Sequence, residues 1–383
     1  MKIPLAWLQL SREKSKLLVA LAGISFADML MFIQLGFQGA LFNANLKLPR
    51  TVTGDIVLLN TQSEAIFNLK SFSRRNLYRT LGMKDVASVS SLYINTALWK
   101  NPVEGNSKPM MVIGFNPQNP SLTAPGLNRQ SLRQIQLTDV ILYDVQSRAE
   151  FGPIASLYQQ GKKVTAEINQ HRVKVGGLYT LGASFTTDGS IITSDRNFWR
   201  LFPERSPDLI DIGLVVLQPG TDIDRAIARI DRRLPENIQV LSQADFIEVE
   251  RAYWQNTTAI GFIFAFGTTI GFIVGTVVVY QILYTDIVDR LPEYATLKAM
   301  GYSDRYFVIV VLQEAVILAV LGYIPGIAIS SALYVVAARG TGLPVVMTFG
   351  RAIFVLILTI VMCFVSGTLA LNKLKEADPA DIF

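Results

Sequence analysis

The sequence predicts a membrane α-helical protein: four transmembrane helices and one large α+β domain outside the bilayer. Three observations carry that expectation. Long apolar runs fall at about residues 17–42, 259–283, 308–338 and 353–371, and each reaches the roughly 20 residues that a helix needs to cross a bilayer. Residues 43–257 are instead a polar stretch, long enough to bury a core of their own. Basic residues gather beside the apolar runs, as membrane topology requires.

Composition agrees. Hydrophobic residues make up 50% of the chain, and the mean hydropathy is positive. A soluble enzyme of this length would have to bury four helices that are apolar on every side. The formal charge is +5, but no basic stripe interleaved with aromatics occurs, so nucleic acid is not an expected partner. One cysteine, Cys363, and one histidine, His171, exclude an intrachain disulfide and a Cys/His metal site. Cys363 falls in the last apolar run and reads as an inert thiol. His171 falls in a hairpin pattern over 164–179 and reads as a surface imidazole. No nucleophile–base arrangement stands out, and no G-x-x-x-x-G-K-[ST] loop occurs. The chain is therefore expected to be non-catalytic, to hold no metal or cofactor, and to hydrolyse no ATP itself.

Residues 1–16 predict an amphipathic helix lying on the membrane. Ile3, Trp7 and Leu10 recur at helical spacing, with Pro4 in the first turn. The run 17–42 is too long for a cleaved signal and reads as an uncleaved anchor. Lys2, Arg12, Lys14 and Lys16 precede it. Together with Arg290, Lys298, Arg305, Lys373 and Lys375, they outnumber Arg339 and Arg351 of the opposite short loop. That imbalance places both termini inside and residues 43–257 outside. Within the run, Asp28 lies about midway, and Gln34 and Gln38 make a second polar face. A carboxylate in hydrocarbon is costly, so Asp28 is expected to pack against the second span or a partner helix.

In the outside domain, residues 55–59 predict a strand and 71–81 a basic helix ended by Gly82. Residues 86–99 are rich in β-formers, and 110–115 are expected to pair with them. A loop-rich stretch, 116–133, follows. Further strands are expected at 140–145, 164–168, 173–175, 191–193, 214–217 and 238–241. Thr221 or Asp222 caps a helix over 221–234 that carries Ile223, Ile227 and Ile230 on one face. A last helix, 242–256, is expected to feed directly into the second span. Runs of strands without alternating βα units argue against a Rossmann-type nucleotide fold.

The second span, 258–284, holds Gly267, Gly271 and Gly275. Missing side chains at this spacing let another helix approach closely, either within the chain or across a dimer axis. The inner segment 285–305 contains a short helix with Pro292 in its first turn, Glu293 behind it, and Lys298 and Gly301 at its end. Tyr294, Leu297 and Met300 form its apolar face, expected to meet a protein partner. The third span is 306–338. Its Glu314 is expected to be capped by water or headgroups, and Pro325 to kink it. Residues 339–350 form an outer loop, 351–371 the fourth span and 372–383 an inner tail.

Arg290, Glu293, Leu297, Lys298, Met300 and Gly301 follow a pattern that resembles R-x-x-E-x-x-x-L-[KR]-A-[LM]-G. That segment lies after the second span of FtsX/MacB-type ABC transporter permeases. The four-span layout, Ala6 with Trp7, and residues 377–382 resemble the same family. Residues 26–38 and the unfused ATPase resemble its DevC-like subgroup, permeases of heterocyst glycolipid exporters. The resemblance implies a homodimer served by two separate ATPase subunits, with ATP and Mg bound on the ATPase. It implies docking of the helix around Glu293–Gly301 on that ATPase, and a periplasmic domain of porter-like and sabre-like subdomains, split near 116–208. It also implies an inner-membrane location, contact with membrane lipid, a membrane-fusion adaptor and a TolC-like channel. Motion driven by the ATPase would pass through the spans to export glycolipid or another amphiphile. The alternative it implies is FtsX-like: the same motion regulates a periplasmic partner without moving cargo.

Overall fold

A computed structural model describes residues 12–301 and 303–376. Ile3, Trp7 and Leu10 of the expected interfacial helix, Tyr302, and residues 377–382 lie outside the described residues. The chain divides into two compact units: Met1–Ala40 with Ala259–Phe383, and Leu41–Thr258.

In the first unit, four helices among the described residues are long and apolar enough to cross a bilayer. They are Lys14–Asn45, Ala259–Asp289, Asp304–Thr341 and Phe349–Glu376, here called spans one to four. Span four packs along spans two and three. Ile24, Ala27, Val279, Leu283, Val311, Leu318 and Met362 bury themselves between the spans. Large apolar side chains such as Phe262, Phe266, Ile273 and Phe354 are exposed on the outside, where lipid rather than water suits them. The third helix runs on through Pro325. It stops at Gly342, whose left-handed backbone (φ 69°) lets its N–H reach the Ala338 carbonyl.

The second unit is built on strands β1 (Ile56–Asn60), β2 (Phe72–Ser73), β3 (Val86–Lys100), β4 (Ser107–Phe115), β5 (Val140–Asp144) and β6 (Thr165–Ile168). The remainder are β7 (His171–Tyr179), β8 (Ser190–Ser194), β9 (Leu209–Ile210), β10 (Ile212–Leu217) and β11 (Ile238–Ser242). Among the described residues they form a sheet in the order β11-β1-β10-β3-β4-β8-β5-β7-β6, with β2 and β9 paired separately. The long strand β3 has two partners in succession. Val86–Leu92 pair with β10, and Leu92–Lys100 pair with β4. Trp99 and Lys100 also pair with β6, so β3-β4-β8-β5-β7-β6 closes into a small barrel.

Strand alternation fills that barrel. Tyr93, Ala97 and Trp99 are buried while Leu98 is exposed, the period of two that a strand imposes. The Trp99 indole N–H donates to the Phe151 carbonyl at 3.0 Å, so its polar atom is satisfied inside an apolar core. Residues 116–208 supply β5 to β8, and the flanking chain supplies β1, β3, β4, β10 and β11. The two expected halves thus meet in one sheet, joined by parallel β4–β8 pairing and by β3–β6.

Local chemistry moved several element ends. Phe72 and Ser73 pair with β9, so the basic helix begins at Arg74 and runs to Leu81. Asp222 and Ser242 cap the helices Ile223–Asp231 and Gln243–Ala252 by accepting N–H groups three residues on. The latter helix does not feed directly into span two. It widens into a π turn over Tyr253–Thr257, and Thr258 is extended (φ −96°, ψ 150°), which breaks the helical ladder. His171 is exposed beside Asn169 and Gln170, both with positive φ, in the β6–β7 turn.

Two buried acids of this unit are held by donors. Asp211 takes both guanidinium arms of Arg205 at 2.7 and 2.9 Å, the Ile94 N–H and the Ser71 hydroxyl. Glu250 accepts from the Trp254 indole at 2.8 Å and the Ile66 N–H at 2.9 Å. Burial outweighs those bonds and pushes the Glu250 carboxyl above its ordinary value of 4.5. A carboxyl raised in this way binds more protons folded than unfolded. Its contribution to stability is full below pH 4.5 and is lost as the pH rises through the folded-state value. Glu250→Gln is expected to flatten the fall in stability above pH 4.5, read from denaturant midpoints of both chains across that range.

Candidate functional site

Span two ends at Asp289, and a short helix, Leu291–Ala299, follows within two residues. Pro292 stands in its first turn, where its missing N–H costs nothing. Glu293 lies in the same turn, where a negative charge suits the helix dipole. The Thr296 hydroxyl donates to the Pro292 carbonyl at 2.9 Å. Gly301, at φ 93°, adopts the left-handed backbone that ends the element. Span three starts after Ser303.

Leu297 and Met300, expected together on one apolar face, differ in exposure. Leu297 is packed against the core between the spans, because the helix lies against span residues. Pro292, Glu293, Thr296 and Met300 are exposed, Met300 by 63%. The backbone of Tyr294 and Lys298 is helical; their side chains lie outside the described part of the structure.

Arg290, expected among the ATPase-coupling residues, is only 7% exposed. Its guanidinium reaches Asp286 Oδ1 at 2.8 Å, one helical turn back, and Glu314 Oε1 of span three at 3.1 Å. Glu314 is fully buried, not capped by water or headgroups. Asp286 Oδ2 and Glu314 Oε2 find no hydrogen-bond partner among the described residues. One cation is therefore shared by two buried carboxylates, one on each of two spans. A planar fork with several donors can serve two acids at once, which a lysine could not do as well. Asp286 and Arg290 at i and i+4 were a legible helical pair. The Glu314 partnership depends on tertiary packing. Lys16 binds Glu13 and Asp289, each at 2.6 Å, but both pairs are exposed and contribute little.

A second polar position lies deeper. Asp28 is fully buried, and its Oδ1 accepts the Thr359 hydroxyl of span four at 2.6 Å. A Cβ on Gly326 of span three would lie 2.9 Å from the Asp28 Cβ. The Ser25 hydroxyl donates to the Gly322 carbonyl at 2.9 Å. Asp28 thus faces spans three and four, not span two or a partner helix. Gly322 and Gly326 make the close approach possible. Gly322 and Gly326, four residues apart, are a small-xxx-small pair that the sequence itself displays.

Gly267, Gly271 and Gly275 face span one. A Cβ at each would meet Gln34, then Met31 with Leu30, then Ala27 together with Met362 of span four. Gln38 is half-buried. Among the described residues no group of three or more His, Cys, Asp or Glu side chains is placed to hold a metal ion.

Comparison with known proteins adds three findings. Residues 253–379 match the FtsX-like permease C-terminal family. Over 220 residues the chain is 19% identical to two uncharacterized ABC transporter permeases of Mycobacterium tuberculosis, from strains CDC 1551 and H37Rv. The match covers 57% of this chain and 57% of the length of each relative. Among solved structures, the chain resembles the periplasmic region of MacB from Actinobacillus actinomycetemcomitans (13% identity, TM-score 0.36, covering 54% of this chain and 95% of that one). It also resembles the extracellular domain of the noncanonic ABC-type transporter YknZ from Gram-positive bacteria (13% identity, TM-score 0.32, covering 49% and 99%).

Breaking a buried ion pair from one side leaves uncompensated charge, which costs about 3–5 kcal/mol. Arg290→Met is expected to destabilise the full-length chain by about that amount. Adding Glu314→Met should return about 0.5–3 kcal/mol of it, because the partners interact. Unfolding of the four chains of this cycle in detergent checks both figures.

Proposed function

We propose that this chain is the permease subunit of an ABC transporter of the FtsX/MacB type, a non-catalytic component moved by ATPase subunits supplied separately. The observation that carries the reading is the matched segment 253–379, within which an exposed short helix sits directly beside the Arg290 bridge. A partner that binds Pro292, Glu293, Thr296 and Met300 grips a helix seated on the span core by Leu297. The adjacent Arg290 ties the base of that helix to spans two and three. A push on the helix is thereby shared between two spans instead of bending one linker. ATP and Mg reside on the partner ATPase.

In this reading both termini are cytoplasmic, the 41–258 domain is periplasmic, and the chain sits in the inner membrane. The excess of basic residues beside the inner segments supports that orientation. The chain works as a homodimer with two ATPase subunits, a membrane-fusion adaptor and a TolC-like channel. The finer assignment, a DevC-like exporter of glycolipid or another amphiphile, rests on residues 26–38. Nucleotide state and the outer domain must then influence each other equally in binding terms, since linkage is reciprocal.

The test uses the chain reconstituted with its ATPase. Met300→Asp and Glu293→Arg alter exposed side chains outside the core, so the permease should fold normally. Each is expected to weaken coupling between permease and ATPase turnover by a factor of roughly 5–150. Leu297→Asp should lower stability as well. Unchanged turnover and assembly with the first two variants contradicts docking at this helix. Intact coupling without efflux of any amphiphile favours the FtsX-like regulator over the exporter.

A further inference from the structure

Two phenylalanines of the 41–258 domain are half exposed to solvent, Phe67 by 49% and Phe185 by 53%. They bracket the buried indole of Trp254, with ring centroids 5.4 and 5.9 Å from it. Tyr253 stands 5.5 Å from Phe67. The four rings come from three distant stretches of chain and form one cluster, with Phe67 and Phe185 at its surface over the buried Trp254. Single exposed apolar residues are ordinary, whereas a joined aromatic cluster is a contact surface.

Hydrogen bonds fix where this cluster stands along the chain. The backbone N–H of Phe185 donates to Asn45 Oδ1 at 3.0 Å. Asn45 is the last residue of the helix that forms span one. The loop bearing Phe67 is tied through the Ile66 N–H to Glu250, which also accepts from Trp254. Trp254 precedes Ala259, where span two begins, by five positions, so at most about 18 Å of chain separates them. Asn45 stands three residues beyond the apolar run 17–42, or about 5 Å of helix rise, so both tethers are short in chain length from the end of an apolar span. Just beyond Asn45, the helix Lys47–Thr51 carries the exposed Arg50, a cation of the kind that lipid phosphates attract.

We propose that Phe67 and Phe185, backed by Tyr253 and Trp254, form a wedge that inserts into the lipid leaflet facing this domain. Amphipathic aromatics are favoured at that depth, where one end is dry and the other wet. The wedge requires that the spans cross a bilayer and is independent of any ATPase.

Full-length Phe67→Cys, Phe185→Cys and Val103→Cys chains test it, each spin-labelled in phosphatidylcholine–phosphatidylglycerol vesicles. Cys363 is buried, and the unsubstituted chain sets its labelling background. Val103 is an exposed residue of the β3–β4 turn. Oxygen concentrates in hydrocarbon and a nickel chelate stays in water. Labels at 67 and 185 are expected to relax several-fold faster with oxygen than with nickel, and the label at 103 the reverse. Nickel-dominated relaxation at 67 and 185 overturns the proposal. Protection from both reagents means that protein covers the patch, and overturns it equally. Phe67→Trp and Phe185→Trp supply a second reading: brominated lipid should quench their added fluorescence, and failure to do so counts against the wedge.

Discussion

The helical unit depends on one buried cation. Arg290 sits where span two gives way to the short helix, and it answers carboxylates on both span two and span three. Charges in such a place are tolerated only when they are paired. With two acids and one base, neither acid can release Arg290 without leaving a bare charge behind. The geometry of the short helix is thereby tied to the packing of two spans. A flexible linker at the same position would let a docking partner rock the helix without moving the bundle.

The remaining intramembrane contacts serve the same end by different means. Glycines on span two admit span one, and Gly322 with Gly326 let span three approach Ser25 and Asp28. Small residues supply close packing where no hydrophobic drive exists between helices in lipid. In the other unit, the two-partner strand β3 plays the corresponding part. One half extends an open sheet and the other closes a barrel, so the 116–208 stretch cannot move independently of the strands that flank it. On the proposed reading, these linked elements would pass motion along rather than reshape around a substrate.

Much of this was legible in the sequence, and the gaps have physical reasons. Long apolar runs are a one-dimensional signal, so the spans could be read directly. Caps at Asp222 and Ser242 are local chemistry, and the pairing of β3 with β4 follows from adjacent β-rich runs. The closing β3–β6 contact joins residues some seventy positions apart, and no local pattern announces it. At the site, the position of the short helix was readable from Pro292, Glu293 and Gly301. Its orientation was not: Leu297 and Arg290 turned inward because Glu314 and the span core lie there, and helical periodicity alone does not say which face meets which neighbour. Asp28 was recognised as costly, but its partner Thr359 lies more than three hundred residues away.

The most direct test is whether force leaves the short helix through Arg290. Arg290→Met, Glu314→Met and the double variant would be reconstituted with the ATPase, and coupling of turnover to the permease measured alongside ATPase binding. The account predicts that all three bind the ATPase and lose coupling to a similar extent, since each breaks the same bridge. Full coupling with the bridge removed would contradict it.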